Sequence, residues 1–334
     1  MQPVRSLFSF NLKLSIMNDR DMRRVLVFLA SSFACIVLFK AVHHGPTKPN
    51  WKVDETCSNF ILGSFKQSTS AILDRLQLSE KNWYDSVLLR HEFIESKNSL
   101  EEFKPWGDTG FTILWNLFAP TFDCPYMKKR IGSIGDGGKW VCGFELLEET
   151  KQTGAPCVVY SFGVNRESSF EAEILEKTNC HVFAYDMTVR KMGQQISETN
   201  RKLSFKPVGL GVNNTRNLRT LTTLMEENGH TWINMLKIDI EGAEFATLES
   251  LFKIYDVLPF GQLQLEIHSH RLSFPEFYHW WERLESKGLR AFSSEINLNP
   301  CVNSKADKPD LMEYSFINVH ANNLLVPSGF TPIM

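Results

Sequence analysis

Asp239, Glu241, Glu266 and His268 stand where two strand-like runs stop, in Leu236-Lys237-Ile238-Asp239-Ile240-Glu241-Gly242-Ala243-Glu244 and Leu265-Glu266-Ile267-His268. In open α/β sheets ligands bind outside the carboxyl ends of the strands, so these four side chains mark a candidate site. An imidazole titrates nearest neutrality of all side chains, which makes His268 the first choice for a base that takes a proton from a hydroxyl. Glu241 and Glu266 are the second choices. The same four donors, mostly oxygen, could instead hold a hard divalent cation. A histidine at a strand end also serves as an ordinary hydrogen-bonded side chain, and residue types alone leave all three readings open.

A second constellation lies upstream. Val159-Tyr160-Ser161-Phe162-Gly163-Val164-Asn165 runs from a strand into a turn, and a glycine there lets backbone approach a ligand because it carries no side chain. Asp186 closes the next strand-like run, 23 residues after Gly163. In dinucleotide-type folds an acid about 20 residues downstream accepts hydrogen bonds from ribose hydroxyls. No GxGxxG and no Walker sequence follows the first strand, so nothing there is built to cradle a pyrophosphate. A ligand with ribose but no pyrophosphate suits that pattern, and S-adenosylmethionine is one.

The elements that must hold these residues are legible as alternating runs. Pro156 to Phe162, Cys180 to Asp186, Leu203 to Val208, Ile233 to Ile238 and Gln262 to Ile267 read as strands, with two more near Leu289 to Ile296 and Tyr314 to Val319. Pro207 lacks a ladder donor and puts the third strand toward a sheet edge. Helices come between them. Ser168 and Glu171 predict a capping box ahead of the stripe Phe170, Ile174 and Leu175. Phe245, Leu248 and Leu251 follow the Gly242 turn at helical spacing. Ser273-Phe274-Pro275-Glu276 opens another helix, with Phe277, Trp280, Trp281 and Leu284 on its apolar face and Gly288 as its stop. Asp136-Gly137-Gly138 reads as a hairpin turn between Arg130-Ile131 and Trp140-Val141. The alternation is that of a doubly wound α/β domain.

The bulk of the chain narrows the function classes. Lys and Arg total 36 against 38 Asp and Glu, a net charge of -2, which offers no basic excess to hold a nucleic-acid backbone. Val25 to Phe39 contains no charge and follows Arg20, Arg23 and Arg24, so it reads as a membrane-entering helix. It is extended here to 25–42 as a signal anchor, with a cytoplasmic tail over 1–24, and a cleaved signal peptide is the alternative. Residues 43–106 read as a partly helical stem or a helical cap, and 107–334 as the catalytic domain. Export into the secretory pathway would suit the six cysteines outside the apolar run, Cys57, Cys124, Cys142, Cys157, Cys180 and Cys301, and the sequon Asn213-Asn214-Thr215.

The blocks Tyr160-Ser161-Phe162-Gly163, Tyr185-Asp186, Lys237 to Glu244 and Leu265 to His268, in this order, resemble the FkbM-like class I methyltransferases. Arg130 to Cys142, with its Asp136-Gly137-Gly138-Lys139-Trp140 centre, is most similar to their methyltransferase-like protein 24 branch. The resemblance runs from about Phe122 to Val319. It implies a Rossmann-like seven-stranded sheet in the order 3-2-1-4-5-7-6 and S-adenosylmethionine as cofactor. Ser161, Phe162 and Gly163 would then lie against its methionine part, Asp186 would hold the ribose, and Asp239 would face it from the fourth strand. Glu241 and His268 would border the methyl acceptor, and the Asp-Gly-Gly segment would pass near the cofactor pocket. O-methylation of a glycan or small polar molecule follows as the expected reaction. The first loop carries one glycine where many class I methyltransferases carry three, and no acid follows the third strand to meet adenine. In this topology Cys157 and Cys180 begin neighbouring parallel strands, which predicts a disulfide between them; Cys124 with Cys142, flanking the hairpin, is a second expected pair. A lumenal glycosyltransferase that uses Asp239-Ile240-Glu241 as a metal-binding triplet, and an inactive scaffold that keeps the fold, are the competing functions.

Overall fold

Strands buried on both faces need cover on both faces, and helices from crossover connections supply it. The computed structural model describes residues 23–30, 33–40, 68–97, 99–101, 111–135, 137–197, 199–297 and 310–333. Asp136, Cys57, Cys301 and the segment 43–67 lie outside them. The chain divides into two units, Met1–Gln67 and Ser68–Met334.

In the first unit, Arg23–Ala30 and Phe33–Lys40 are antiparallel strands with Ala30 opposite Phe33. This corrects the expectation of one helix over 25–42. The run is rich in Val, Ile and Phe, which favour the extended chain. Among the described residues no helix is long and apolar enough to cross a membrane.

The second unit begins with α1 (Thr69–Glu95) and α2 (Phe111–Leu117), followed by the hairpin β1 (Lys128–Ile131) and β2 (Lys139–Cys142) and by α3 (Phe144–Thr153). The repeating part is β3 (Val158–Phe162), α4 (Ser169–Lys177), β4 (His181–Tyr185), β5 (Leu203–Lys206), α5 (Leu221–Asn228), β6 (Ile233–Ile238), α6 (Glu244–Ile254), β7 (Phe260–His268), α7 (Phe274–Ser286), β8 (Leu289–Ile296) and β9 (Leu311–Asn318). The seven strands from β3 onward form one sheet in the order β5-β4-β3-β6-β7-β9-β8. Counted along the chain this is 3-2-1-4-5-7-6, as the sequence resemblance implies. β9 runs antiparallel to β7 and β8, and the other pairings are parallel. β5, just before Pro207, is an edge strand.

Alternation along the strands sorts the side chains between two cores. Tyr160, Phe162, Leu236, Ile238, Leu263 and Leu265 pack with α5, α6 and α7 on one face. Val159, Val182, Ala184 and Met235 pack with α4 on the other. Ser161 and Lys237, one position out of step with the first set, therefore point to the α4 side.

Local signals were met unevenly. Ser273 N–H and hydroxyl both reach the Glu276 carboxylate, at 2.8 and 2.7 Å, and Gly288 follows α7 at φ +83, so that helix is capped as predicted. The box at α4 is not formed. Ser168 Oγ accepts instead from Gly193 N–H at 2.9 Å, and Glu171 turns into the sheet to accept from the Ser161 hydroxyl. The buried Ser161 hydroxyl and the nearby Lys237 ammonium beneath α4 take up that carboxylate instead.

α1 is fastened by buried charge. Arg290 donates to Glu80 at 2.9 and 3.0 Å, the pair being 1% and 0% exposed, and Trp83 Nε1 donates to Glu285 at 2.9 Å. Arg90 pairs with Glu282 and Glu285. Separating such partners would leave buried ions alone, so α1 stays with the domain.

Both expected disulfides are present, with Cα–Cα distances of 5.6 Å for Cys124–Cys142 and 4.3 Å for Cys157–Cys180. The second joins positions just before β3 and β4 and closes a separation of 23 residues. Loop-closure entropy for that span is worth roughly 3 kcal/mol in the chain-entropy account. The paired substitution Cys157→Ala/Cys180→Ala should lower the melting temperature by about 6–12 °C in differential scanning calorimetry.

Candidate active site

β6 ends at Ile238, and the chain must reverse before α6. It does so through Glu241 at φ +57 and Gly242 at φ +98. The glycine accepts this geometry freely, whereas the left-handed region costs Glu241 roughly 1–2 kcal/mol. Its side chain is 85% exposed, so packing does not hold it there. Glu244 holds the turn. Its carboxylate accepts from Gly242 N–H at 2.7 Å and from His268 N–H at 2.8 Å, which ties the β6–α6 corner to the end of β7.

The same Glu244 oxygen lies 3.1 Å from His268 Nδ1, and both residues are buried. In the neutral ring the nearer Glu244 favours the proton on Nδ1 and the lone pair on Nε2, which lies 3.4 Å from Glu241 Oε2. Burial alone would lower the His268 pKa. The hydrogen bond and charge of Glu244, with Asp239 and Glu241 adding to them, outweigh burial and raise it. His268 is thus a stronger base than a free imidazole and stays protonated to higher pH.

Asp239 and Glu266 face each other beside it. Burial first, then the charges of Asp239 and Glu313, push Glu266 far above the carboxylate range. Burial acts on Asp239 in the same sense, but Lys237, the hydrogen bond from Glu266, and the charges of Lys139 and His268 prevail and hold it low. Two carboxylates so close share one proton. Glu266 also accepts from Asn297 Nδ2 at 2.7 Å, while Lys139 is engaged by Glu313. One donor atom each from Asp239, Glu266 and His268 lie within 4.8 Å of one another, a spacing that a small cation could bridge as well as a proton.

These groups line one end of a cavity of about 620 Å³, within the roughly 300–1,000 Å³ typical of small-molecule sites. Gly163 sits at its middle, with φ +74. A Cβ there would stand 1.7 Å from the carbonyl oxygen of Asp239, so the close approach of β3 and β6 demands glycine. Asp186 lies beyond it. Its carboxylate accepts from Asn165 N–H at 2.8 Å and from Thr188 N–H and Oγ1 at 2.7 and 2.6 Å. Three of about four lone-pair positions are used and one remains for a ligand. Met187, Gly209 to Val212 and Leu218 form the far, apolar end, and Gly137 of the hairpin borders the cavity.

Six of the eight residues expected at the site therefore meet on this wall: Gly163, Asp186, Asp239, Glu241, Glu266 and His268. Ser161 and Phe162 do not. Ser161 is sealed beneath α4 with Glu171, and the Phe162 ring stacks on Tyr185 at 4.9 Å in the opposite core. Only the backbone at these two positions remains to approach a ligand. Glu244, Lys237 and Asn297 were missed. Glu244 looks in sequence like an acid placed for a helix amino end, and its partner is 24 residues away.

The sequence has counterparts among known proteins. The proteins called "Probable methyltransferase-like protein 24" of Rattus norvegicus and Homo sapiens are each 28% identical over 161 residues, covering 43% of this chain and 44% of theirs. The chain thus spans less than half the length of the curated relatives it matches. The crystal structure of methyltransferase FkbM from Methylobacillus flagellatus KT is 11% identical, covers 70% of this chain and 60% of its own, and superposes with a TM-score of 0.32. So loose a superposition carries no weight. A family model for a methyltransferase domain does, since it matches residues 78–317 and so takes in most of α1, the sheet and the acidic corner together. This chain belongs to that methyltransferase domain family.

Proposed function

We propose that the protein is an S-adenosylmethionine-dependent methyltransferase that methylates a hydroxyl of a glycan or small polar acceptor. The observation that carries this reading is the convergence of Glu244, His268 and Glu241 at one end of a cavity whose middle is closed down by Gly163 and Asp186. The residues present fit the cofactor. Asp186 would hold the ribose, the backbone around Gly163 the methionine part, and the apolar slot of Met187, Leu210, Val212 and Leu218 the adenine in place of an acid. Asp239 and Glu241 suit a cationic neighbour.

Bound S-adenosylmethionine supplies a sulfonium methyl group whose carbon–sulfur bond breaks with its electron pair passing to sulfur. The protein's part is alignment and the removal of one proton. His268 Nε2 takes the proton from the acceptor hydroxyl, and Glu244 keeps the imidazole in the required tautomer and steadies the imidazolium that results. The two disulfides support an oxidising, secretory-pathway setting for this chemistry. Titration calorimetry of the full chain should register one S-adenosylmethionine per chain in the micromolar range, weakened at least about tenfold by Asp186→Asn. Absence of binding by the folded protein would refute the reading and favour the scaffold or sugar-nucleotide alternatives.

A further inference from the structure

Asn213-Asn214-Thr215 belongs to no part of the site described above, and it is the only Asn-x-Ser/Thr sequence in the chain. Its middle residue is not proline, so the triplet is a competent acceptor for an N-linked glycan. It falls in the connection between β5 and α5, on a loop whose base is closed where Gly209–Leu210 pairs with Leu218–Arg219. Gly209 N–H donates to Asn217 O at 2.8 Å and Gly211 N–H to Arg219 O at 3.0 Å. Residues 212–217 between them are all exposed.

The three residues of the triplet have different duties in that loop. Asn214 holds it together, since its Oδ1 accepts from Thr220 N–H at 3.0 Å and its Nδ2 donates to the Thr223 hydroxyl at 2.9 Å. Thr215 Oγ1 accepts from Leu218 N–H at 3.1 Å. The Asn213 carboxamide makes no hydrogen bond among the described residues. A glycan is bulky and belongs on the surface, and one attached at Asn213 would displace no contact of the loop. Gly209 to Val212 lie on the cavity wall and Asn213 does not, so the glycan would stand beside the apolar end of the cavity and outside it. The disulfides Cys124–Cys142 and Cys157–Cys180 suit an oxidising compartment, and sequons are used in proteins that pass through one.

We infer that Asn213 carries an N-linked glycan, on a loop of the catalytic domain itself. This rests on the secretory-pathway setting proposed above and is independent of the methyl-transfer chemistry. Because the loop lies between β5 and α5, an occupied site would place the cavity, and not only one end of the chain, in that compartment. The full chain can be expressed in cultured eukaryotic cells and treated with peptide N-glycosidase. The expected result is a single step to faster migration on a denaturing gel, lost in Asn213→Gln and kept in Thr215→Ser. Release of the glycan in heavy-oxygen water should label residue 213 alone in peptide mass spectra. Non-reducing peptide mapping of the same sample reports whether Cys157 and Cys180 are linked. The bridge present with Asn213 unmodified would overturn the inference by itself. Both cysteines free with Asn213 unmodified would overturn it together with the secretory-pathway setting. A glycosidase step that persists in Asn213→Gln would overturn it as well.

Discussion

Replacing His268 by alanine should reduce turnover about 10²–10⁴-fold, the usual contribution of a positioned base, while leaving S-adenosylmethionine affinity within about threefold. The pH profile gives the sharper test. A base works only when deprotonated, and Glu244, Asp239 and Glu241 together hold the proton on His268 against the opposing effect of burial. The acidic limb of the kcat profile should therefore lie above the ordinary imidazole value of about 6.5. Glu244→Gln removes the largest of the raising interactions, so the limb should move to lower pH while the fold, followed by circular dichroism, persists. A limb that stays in place in Glu244→Gln would show that some other group titrates. Excess chelator should leave the native rate unchanged. Loss of activity restored by magnesium or manganese would move His268 from proton acceptor to metal ligand, because one Nε2 lone pair cannot do both.

Gly163→Ala should be the most damaging small substitution in the domain. The added methyl would stand 1.7 Å from the Asp239 carbonyl oxygen, and the backbone φ of +74 disfavours any side chain there. Neither obstacle can rotate away, since both belong to backbone that β3 and β6 hold in register. Overpacking and the left-handed penalty together should cost upward of about 3 kcal/mol in urea unfolding, and the displaced Asp239 should abolish measurable cofactor binding. Gly154→Ala separates the two causes. Gly154 has nearly the same φ, +68, but a Cβ there meets nothing within 4 Å, so only the conformational part, about 1–2 kcal/mol, should appear.

The sheet was readable from sequence because its information is local and periodic. Each strand is a short apolar run, each crossover helix carries its own stripe, and Pro207 marked an edge that the structure bears out. The order of the motifs supplied the topology. What was not readable depends on partners far apart in the chain. Glu171 looked like a helix cap until β3 and β6 placed Ser161 and Lys237 beneath it. Ser161 and Phe162 sit in a motif that borders the ligand, yet strand alternation sends their side chains into opposite cores. Glu244 lies inside the most distinctive block of the chain, but its role exists only where β7 brings His268 alongside. The apolar run over 25–39 failed for another reason, since Val, Ile and Phe serve strand and membrane helix alike and composition does not choose.

The Cys157–Cys180 bridge precedes β3 and β4, whereas Gly163 and Asp186 follow the same two strands. The clasp and the workbench are at opposite ends of one pair of planks. Opening this one bridge would therefore shorten the lifetime of the folded protein without changing what each folded copy does per second. The corners at the working end can diverge to take new acceptors while the clasp keeps the boards aligned, which separates the part of the molecule that must last from the part that must choose.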